Sequence, residues 1–374
     1  MTKLSNLFTN LRKRSVIISI IAVAVVLIAS YTFMSSQAAG FFASTNLGQA
    51  TVSGNATLVA DTTASGGKVL QFNAPVTTPP PTPPPSTGAL MGWQVTANNI
   101  GLKPHGLSCD SLPVYTGPTT LPAGTTISGK RIEDRLDASK GNIIIEKSCI
   151  RPKSGNGPLI SAAYLDGSNN RKPDGPITVR DSELNASLLS RADAANSDGV
   201  RGFPTTFQRN YIHSMGSGIA MLLTGNTGDA LVENNYVHKL TWDGGTSSSE
   251  DDDTHSDGFT IRDFAGTSRL MTVRNNRIDC SGGHESGAYF IQTWLGPINN
   301  VTAEGNLLEG GGWVATLNQF NYPYSGMKAI NNRFNPFGGY GPMTVDKGAG
   351  WAQWTDNYLY DASKPDAKGA AISR

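Results

Sequence analysis

Eight short stretches decide how this chain folds: 145–150 (IEKSCI), 179–184 (VRDSEL), 207–212 (FQRNYI), 232–237 (VENNYV), 273–278 (VRNNRI), 303–308 (AEGNLL), 329–334 (AINNRF) and 354–359 (WTDNYL). Each reads apolar, polar, polar, Asn or Ser, any residue, apolar. The fourth residue is Ser148, Ser182, Asn210, Asn235, Asn276, Asn306, Asn332 and Asn357, with gaps of 34, 28, 25, 41, 30, 26 and 25 residues. A minimum near 25 with variable insertions suits one coil of a parallel β-helix whose loops differ in length. Helical repeats would need apolar residues at a 3.6-residue period, and leucine-rich repeats would need a Leu and Asn ladder; neither is present. Further short strands fall between the units, at 218–223, 259–261, 288–292, 313–317 and 343–345, so each coil carries two or three strands. No coil can bury its inner face alone, so the stack itself is the core. The fourth position is expected to adopt the left-handed backbone that a tight bend needs. Asn tolerates that conformation best among non-glycine residues, and stacked Asn side chains can bond to one another.

The rest of the chain is organised around this repeat. Lys3, Arg12, Lys13 and Arg14 precede an apolar run from Val16, and Ser36-Gln37-Ala38 offers small residues for cleavage. Residues 1–38 therefore read as a cleaved signal peptide or an uncleaved membrane anchor. Residues 39–72 form a short piece with β-like stretches at 56–60 and 68–72, too short to bury a core by itself. A Pro/Thr-rich linker, 73–88, holds Pro-Pro-Pro-Thr-Pro-Pro-Pro and favours a stiff polyproline spacer. Residues 89–374 are the β-helix domain. Only 16% of the 374 residues are charged and the net charge is +1, which excludes a nucleic-acid binder and a charged disordered chain. Export allows disulfides. Of the three cysteines, Cys109 and Cys149 are the preferred pair, since both lie near the start of the main domain; Cys280 is left over.

Candidate chemistry follows from the stacking. The residue after each inward apolar position points out, which aligns Arg151, Asn185, His213, His238, Asp279, Glu309, Asn335 and Tyr360 in one exterior column. His213, His238, Asp279 and Glu309 on adjacent rungs could transfer protons or bind a metal, or could form a plain polar ladder. A second column, Glu146, Arg180, Gln208, Glu233, Arg274 and Glu304, reads as structural cross-strand pairing. The 41-residue gap holds an acidic loop with Asp251, Asp252 and Asp253, then His255-Ser256-Asp257-Gly258 running into a strand closed by Arg262. The acids are candidate Ca²⁺ ligands, because hard oxygen donors suit that ion, or plain solubilising charge. His255, Asp257 and Arg262, with His238 and His213, are the candidate catalytic residues. Trp242, Tyr322, Tyr324 and Tyr340 are candidate sugar-stacking platforms.

Several phrases carry a resemblance. Tyr236-Val237-His238, His255-Ser256-Asp257-Gly258, Asn306-Leu307-Leu308-Glu309-Gly310-Gly311-Gly312 and Asn332-Arg333-Phe334 are similar to right-handed parallel β-helix proteins of the pectate-lyase-like superfamily. The resemblance covers roughly residues 120–362 and implies an all-β, right-handed solenoid. Residues 50–72 resemble the opening of a carbohydrate-binding β-sandwich module, with no binding function implied. Asn196-Ser197-Asp198-Gly199 resembles the Asn-Thr-Asp-Gly stretch of polygalacturonases, which nominates Asp198, Asp252, Asp253 and Asp257 as the carboxylates of a hydrolase. The terminal Arg-Ile-Lys of those enzymes is missing, and Glu285 breaks the Gly-His-Gly. The expectation is an exported monomer at the cell surface or outside the cell. It would act on an extracellular polysaccharide as a lyase or hydrolase, with Ca²⁺ the one candidate cofactor. The alternative is a glycan-binding or adhesion protein without catalysis.

Overall fold

The computed structural model describes residues 56–60, 68–72, 90–163, 173–224, 228–244, 256–282, 285–337 and 339–374. The chain divides into two units, Met1–Ser86 and Thr87–Arg374. In the first, Ala56–Ala60 pairs antiparallel with Lys68–Phe72, Ala56 facing Phe72. The expected leader and linker lie outside the described residues. No helix among the described residues is long and apolar enough to cross a membrane.

The second unit is all-β and built from three long sheets of nine, ten and eight strands. Each turn of the chain visits them in the same order. Thr206–Gln208 lies in the first sheet, Tyr211–His213 in the second and Ser217–Met221 in the third, and the path returns at Ala230–Glu233. Every strand pairs parallel with its counterpart one turn away, as Phe207 does with Val232 and Ile212 with Val237. This is solenoid topology. Among the described residues of this unit the one antiparallel partner is Lys368–Ala371, which closes the last rung of the second sheet. The inner faces form one continuous core, from Ile145, Val179, Phe207 and Val232 to Ile212, Val237, Ile278 and Leu308.

The corner between the first and second sheets is two residues long at every rung. The sequence places the left-handed residue fourth in the repeat; the structure places it third. Lys147, Asp181, Arg209, Asn234, Asn275, Gly305, Asn331 and Asp356 have φ between 48° and 64°. The fourth residue does a different task. Its side chain is buried inside the bend and replaces the main-chain partner that a two-residue corner cannot supply. Asn235 Oδ1 accepts from the N–H of Asn210 at 3.0 Å, and Asn276 Oδ1 accepts from the N–H of Asn235 at 2.9 Å. Each Asn Nδ2 in turn donates to a first-sheet carbonyl, as Asn276 does to Val232 O at 2.9 Å. The ladder runs unbroken from Ser148 to Asn357. A further copy of the repeat, 127–132 (ISGKRI), has Gly129 at the left-handed position, and Lys130 N–H donates to Ser148 Oγ. Lys130 in the fourth place hides this copy from an Asn/Ser pattern.

Residues 90–112 form a strap down the outside of the second sheet. Gly92 N–H donates to Gly305 O, Trp93 lies under the Arg333 guanidinium at 4.2 Å, and Gly101 N–H donates to Arg209 O. Val95 and Ile100 pack on Tyr236. The strap ends in the Cys109–Cys149 disulfide, the expected pair; Cys280 is free and buried. Gly92 has no room for a side chain, since a Cβ there would lie 2.4 Å from Asn276 O and Leu307 N.

Candidate functional site

The corner between the second and third sheets varies from two residues to many, unlike the constant bend. Asp198-Gly199 and Ser217-Gly218 begin third-sheet strands on successive turns, and Asp257-Gly258 follows Ser256, the first residue of the next. The glycines fit because this corner is tight. A Cβ on Gly218 would lie 2.7 Å from Val237 Cγ1, and one on Gly258 would lie 2.3 Å from Ile278 Cγ2. The glycines face in, so the residues before them face out. Asp198 pairs in register with Ser217, Asp257 N–H donates to Ser217 Oγ at 3.2 Å, and Asp257 pairs with Gly287. The Cα atoms of Asp198 and Asp257 are thus two strand spacings apart, about 9.6 Å.

Both carboxylates are buried, Asp198 at 7% and Asp257 at 6% exposure, and each has a neighbouring arginine. Arg201 pairs with Asp198. Arg262 Nη2 donates to Asp257 Oδ2 at 3.0 Å, its Nη1 donates to Gln292 Oε1, and its guanidinium carbon lies over the Phe290 ring at 5.1 Å. Burial pushes the Asp198 carboxyl above its ordinary range, more than Arg201 lowers it. Beside them, Ser256 Oγ and Thr260 Oγ1 are buried with no hydrogen-bond partner among the described residues. Buried hydroxyls are normally satisfied by protein groups or ordered water. A further outer row runs Asp137, Ser161, Arg201, Ala220, Thr260, Phe290, Thr316 and Thr344. At its N-terminal end, Arg135, Arg201, Ser161 and Thr120 line a cleft of about 310 Å³. At the other end, aromatics stand on the flanking loops: Trp294, Phe320 and Tyr322 on one side, Phe337 and Tyr340 (80% exposed) on the other.

The sequence-nominated residues fall in different places. Asp257 and Arg262 lie together on the third sheet. His213 and His238 are in register on the second, with Asp279 and Glu309 on the following rungs. That column is half-covered rather than a fully solvated ladder, and its members are engaged. His238 Nδ1 lies 2.7 Å from Asp279 Oδ2, His213 Nε2 lies 3.2 Å from Glu183 Oε1, and Arg277 Nε donates to Glu309 Oε2 at 2.7 Å. Burial raises the Asp279 carboxyl, but hydrogen bonds from His238 and Ser281 outweigh it, and the net shift is downward. Tyr211 and Tyr236 stack on the two histidines at 4.4 and 5.0 Å. The second column is an ion-pair ladder: Arg180 Nη2 donates to Glu146 Oε2 at 2.7 Å and Arg274 Nε to Glu233 Oε1 at 2.6 Å.

Among the nominated platforms, Tyr322 and Tyr340 are exposed and Trp242 lies under the Arg191 guanidinium at 4.8 Å. Tyr324 corrects the sequence reading. It is 2% exposed, and its hydroxyl donates to Lys347 O and accepts from Gly350 N–H, so no sugar face can reach the ring. His255, Asp251, Asp252 and Asp253 lie outside the described residues. Among the described residues, the one trio of ligand atoms close enough to share an ion is Cys109, Cys149 and Glu183, and its two sulfurs are tied in the disulfide. Sequence reading missed Arg201, Ser217, Thr260 and Phe290. The recurrent Asp-Gly or Ser-Gly dipeptide was the available signal. No protein family matches the chain, and no curated protein and no solved structure matches it significantly.

Proposed function

We propose that the protein is an exported, pectate-lyase-like β-helix enzyme that cleaves an extracellular polysaccharide along the outer face of the third sheet. A right-handed coil follows from the crossover rule for parallel strands. The observation that carries the reading is the pair Asp198 and Asp257 on one outer row, beside buried hydroxyls that lack partners. An inverting hydrolase holds its two carboxyls roughly 6.5–9.5 Å apart to admit a water, a separation that side chains on residues two strand spacings apart can span. Asp198, whose burial favours the protonated form, donates to the leaving oxygen. Asp257, oriented by Arg262, takes the proton of the attacking water. The exposed rings of Trp294, Phe320, Tyr322 and Tyr340 stack on sugar faces further along the groove. Any Ca²⁺ would be held by the hard oxygen donors of Asp251, Asp252 and Asp253.

A second reading, binding without cleavage, is favoured by the arginine that each carboxylate already holds. A polysaccharide panel separates the two, run with Ca²⁺ and with a chelator. New reducing ends without ultraviolet-absorbing product support the hydrolase; absorbing product indicates a lyase; retention without cleavage supports the binding protein. In the first case Asp198→Asn and Asp257→Asn each lower the rate by roughly 10²–10⁴-fold. Unchanged rates in both variants overturn the assignment.

A further inference from the structure

The second sheet carries a constellation that glycan cleavage on the third sheet does not use. Ser214 Oγ lies 3.0 Å from His213 Nδ1, and His213 Nε2 lies 3.2 Å from Glu183 Oε1 on the preceding turn. Glu183 is itself fixed, because Asn185 Nδ2 donates to its Oε1 at 3.0 Å. The ring of Tyr211 stacks on His213 at 4.4 Å and sets its plane. His213 and Glu183 are mostly buried, whereas Ser214 is half-exposed at a corner with φ of 68°. The serine is therefore the member of the set that solvent and substrate can reach. From this geometry we infer that Ser214, His213 and Glu183 form a nucleophile, base and orienting acid for hydrolysis of a small O-acyl ester.

The chemistry is that of an activated hydroxyl. In the tautomer that carries its proton on Nε2, His213 donates to Glu183 and offers the Nδ1 lone pair to the Ser214 hydroxyl. Oγ attacks the ester carbonyl carbon while its proton passes to Nδ1, and a new C–O bond forms. The ester C–O bond then breaks, and the departing alkoxide takes the proton back from the imidazolium. Water attacks the acyl-serine by the same route, its proton going to Nδ1 and then to Ser214 Oγ as the carboxylic acid leaves. In this scheme the N–H of Met215, the residue after the nucleophile, serves the developing oxyanion.

The full-length protein is treated with a fluorophosphonate probe and assayed separately on p-nitrophenyl acetate. Label is expected on the Ser214 peptide by mass spectrometry. Ser214→Ala and Ser214→Gly, both folded by circular dichroism, are expected to lose the label and fall to background turnover. Glu183→Gln is expected to reduce turnover by on the order of 10²–10⁴-fold, with partial recovery in Glu183→Asp. Label on another residue, or wild-type esterase rates in both Ser214 variants, would overturn the inference. Asp198→Asn is expected to leave labelling intact, so failure here is distinguishable from failure of the third-sheet reading.

Discussion

The second and third sheets share the same rungs and spacing, yet their outer faces differ. The second is entered by a two-residue bend at every turn and is crossed by the 90–112 strap, which fills its outer row with Val95, Ile100 and the disulfide. The third is entered by loops of unequal length and keeps buried carboxylates and unpartnered hydroxyls. Repetition serves the stack, because every turn must solve the same hydrogen-bonding problem at the same corner. Variation serves the surface, because only an irregular corner can build a different group at each rung. A solenoid thus separates the residues that hold it together from those that distinguish one rung from the next.

Breaking the regular side should have the largest effect. Asn276 is fully buried, donates from N and Nδ2, and accepts at Oδ1 from Asn235. Asn276→Leu strands several of these groups and is expected to destabilise by about 4 kcal/mol in urea unfolding, at roughly 1–3 kcal/mol per unsatisfied group. A loss under about 1 kcal/mol would mean the ladder is incidental. Removing the strap's covalent end comes next. The disulfide spans 40 residues, and replacing both cysteines with Ser is expected to cost about 3–4 kcal/mol. Activity on the third sheet should survive; its loss would show that the two faces are coupled.

The tight corner links the sides. Gly258→Ala places a methyl group 2.3 Å from Ile278 Cγ2 and 2.8 Å from Cys280 Sγ. The expected cost is roughly 1–3 kcal/mol, with a fall in activity larger than the fall in stability because Asp257 is displaced. Equal losses at Gly258 and at the matching Gly218→Ala would argue against a special role for Asp257.

The Asp279 carboxyl lies below its ordinary 3.8 when folded. It therefore adds stability above pH 3.8, and that increment is lost as the pH falls through the lower folded value. Melting curves of the wild type and Asp279→Asn should differ at neutral pH and converge in acid. Divergence that persists in acid would place the effect in packing rather than charge. The smallest change is expected at Arg274→Gln, where the half-exposed pair with Glu233 contributes about 0.2–1 kcal/mol and is screened by salt.

The sequence already shows most of the regular side. The spacing of eight Asn and Ser residues reveals the rungs, the register of His213 on His238, and the outward rows. It misplaces the left-handed residue because both middle positions are polar and often both Asn, as in Asn234-Asn235. Only the buried side chain tells which one sustains the ladder. The strap is hidden because 90–112 has no repeat and contacts rungs up to some 240 residues away in the chain, such as Arg333. Tyr324 reads as exposed from its Pro-flanked stretch but is drawn inward by the hydroxyl contacts with Lys347 and Gly350. The third-sheet face was half visible: Asp198 and Asp257 stand out as Asp-Gly pairs, whereas Ser217 between them shows only as the weaker Ser-Gly form of the same dipeptide.

Hydrogen–deuterium exchange with and without a saturating glycan oligomer compares the two faces directly. The account predicts slowed exchange in Ser256–Ile261, Glu285–Gln292 and Trp313–Asn318, with Tyr211–His213 and Tyr236–His238 unchanged. Protection confined to the histidine strands would contradict it.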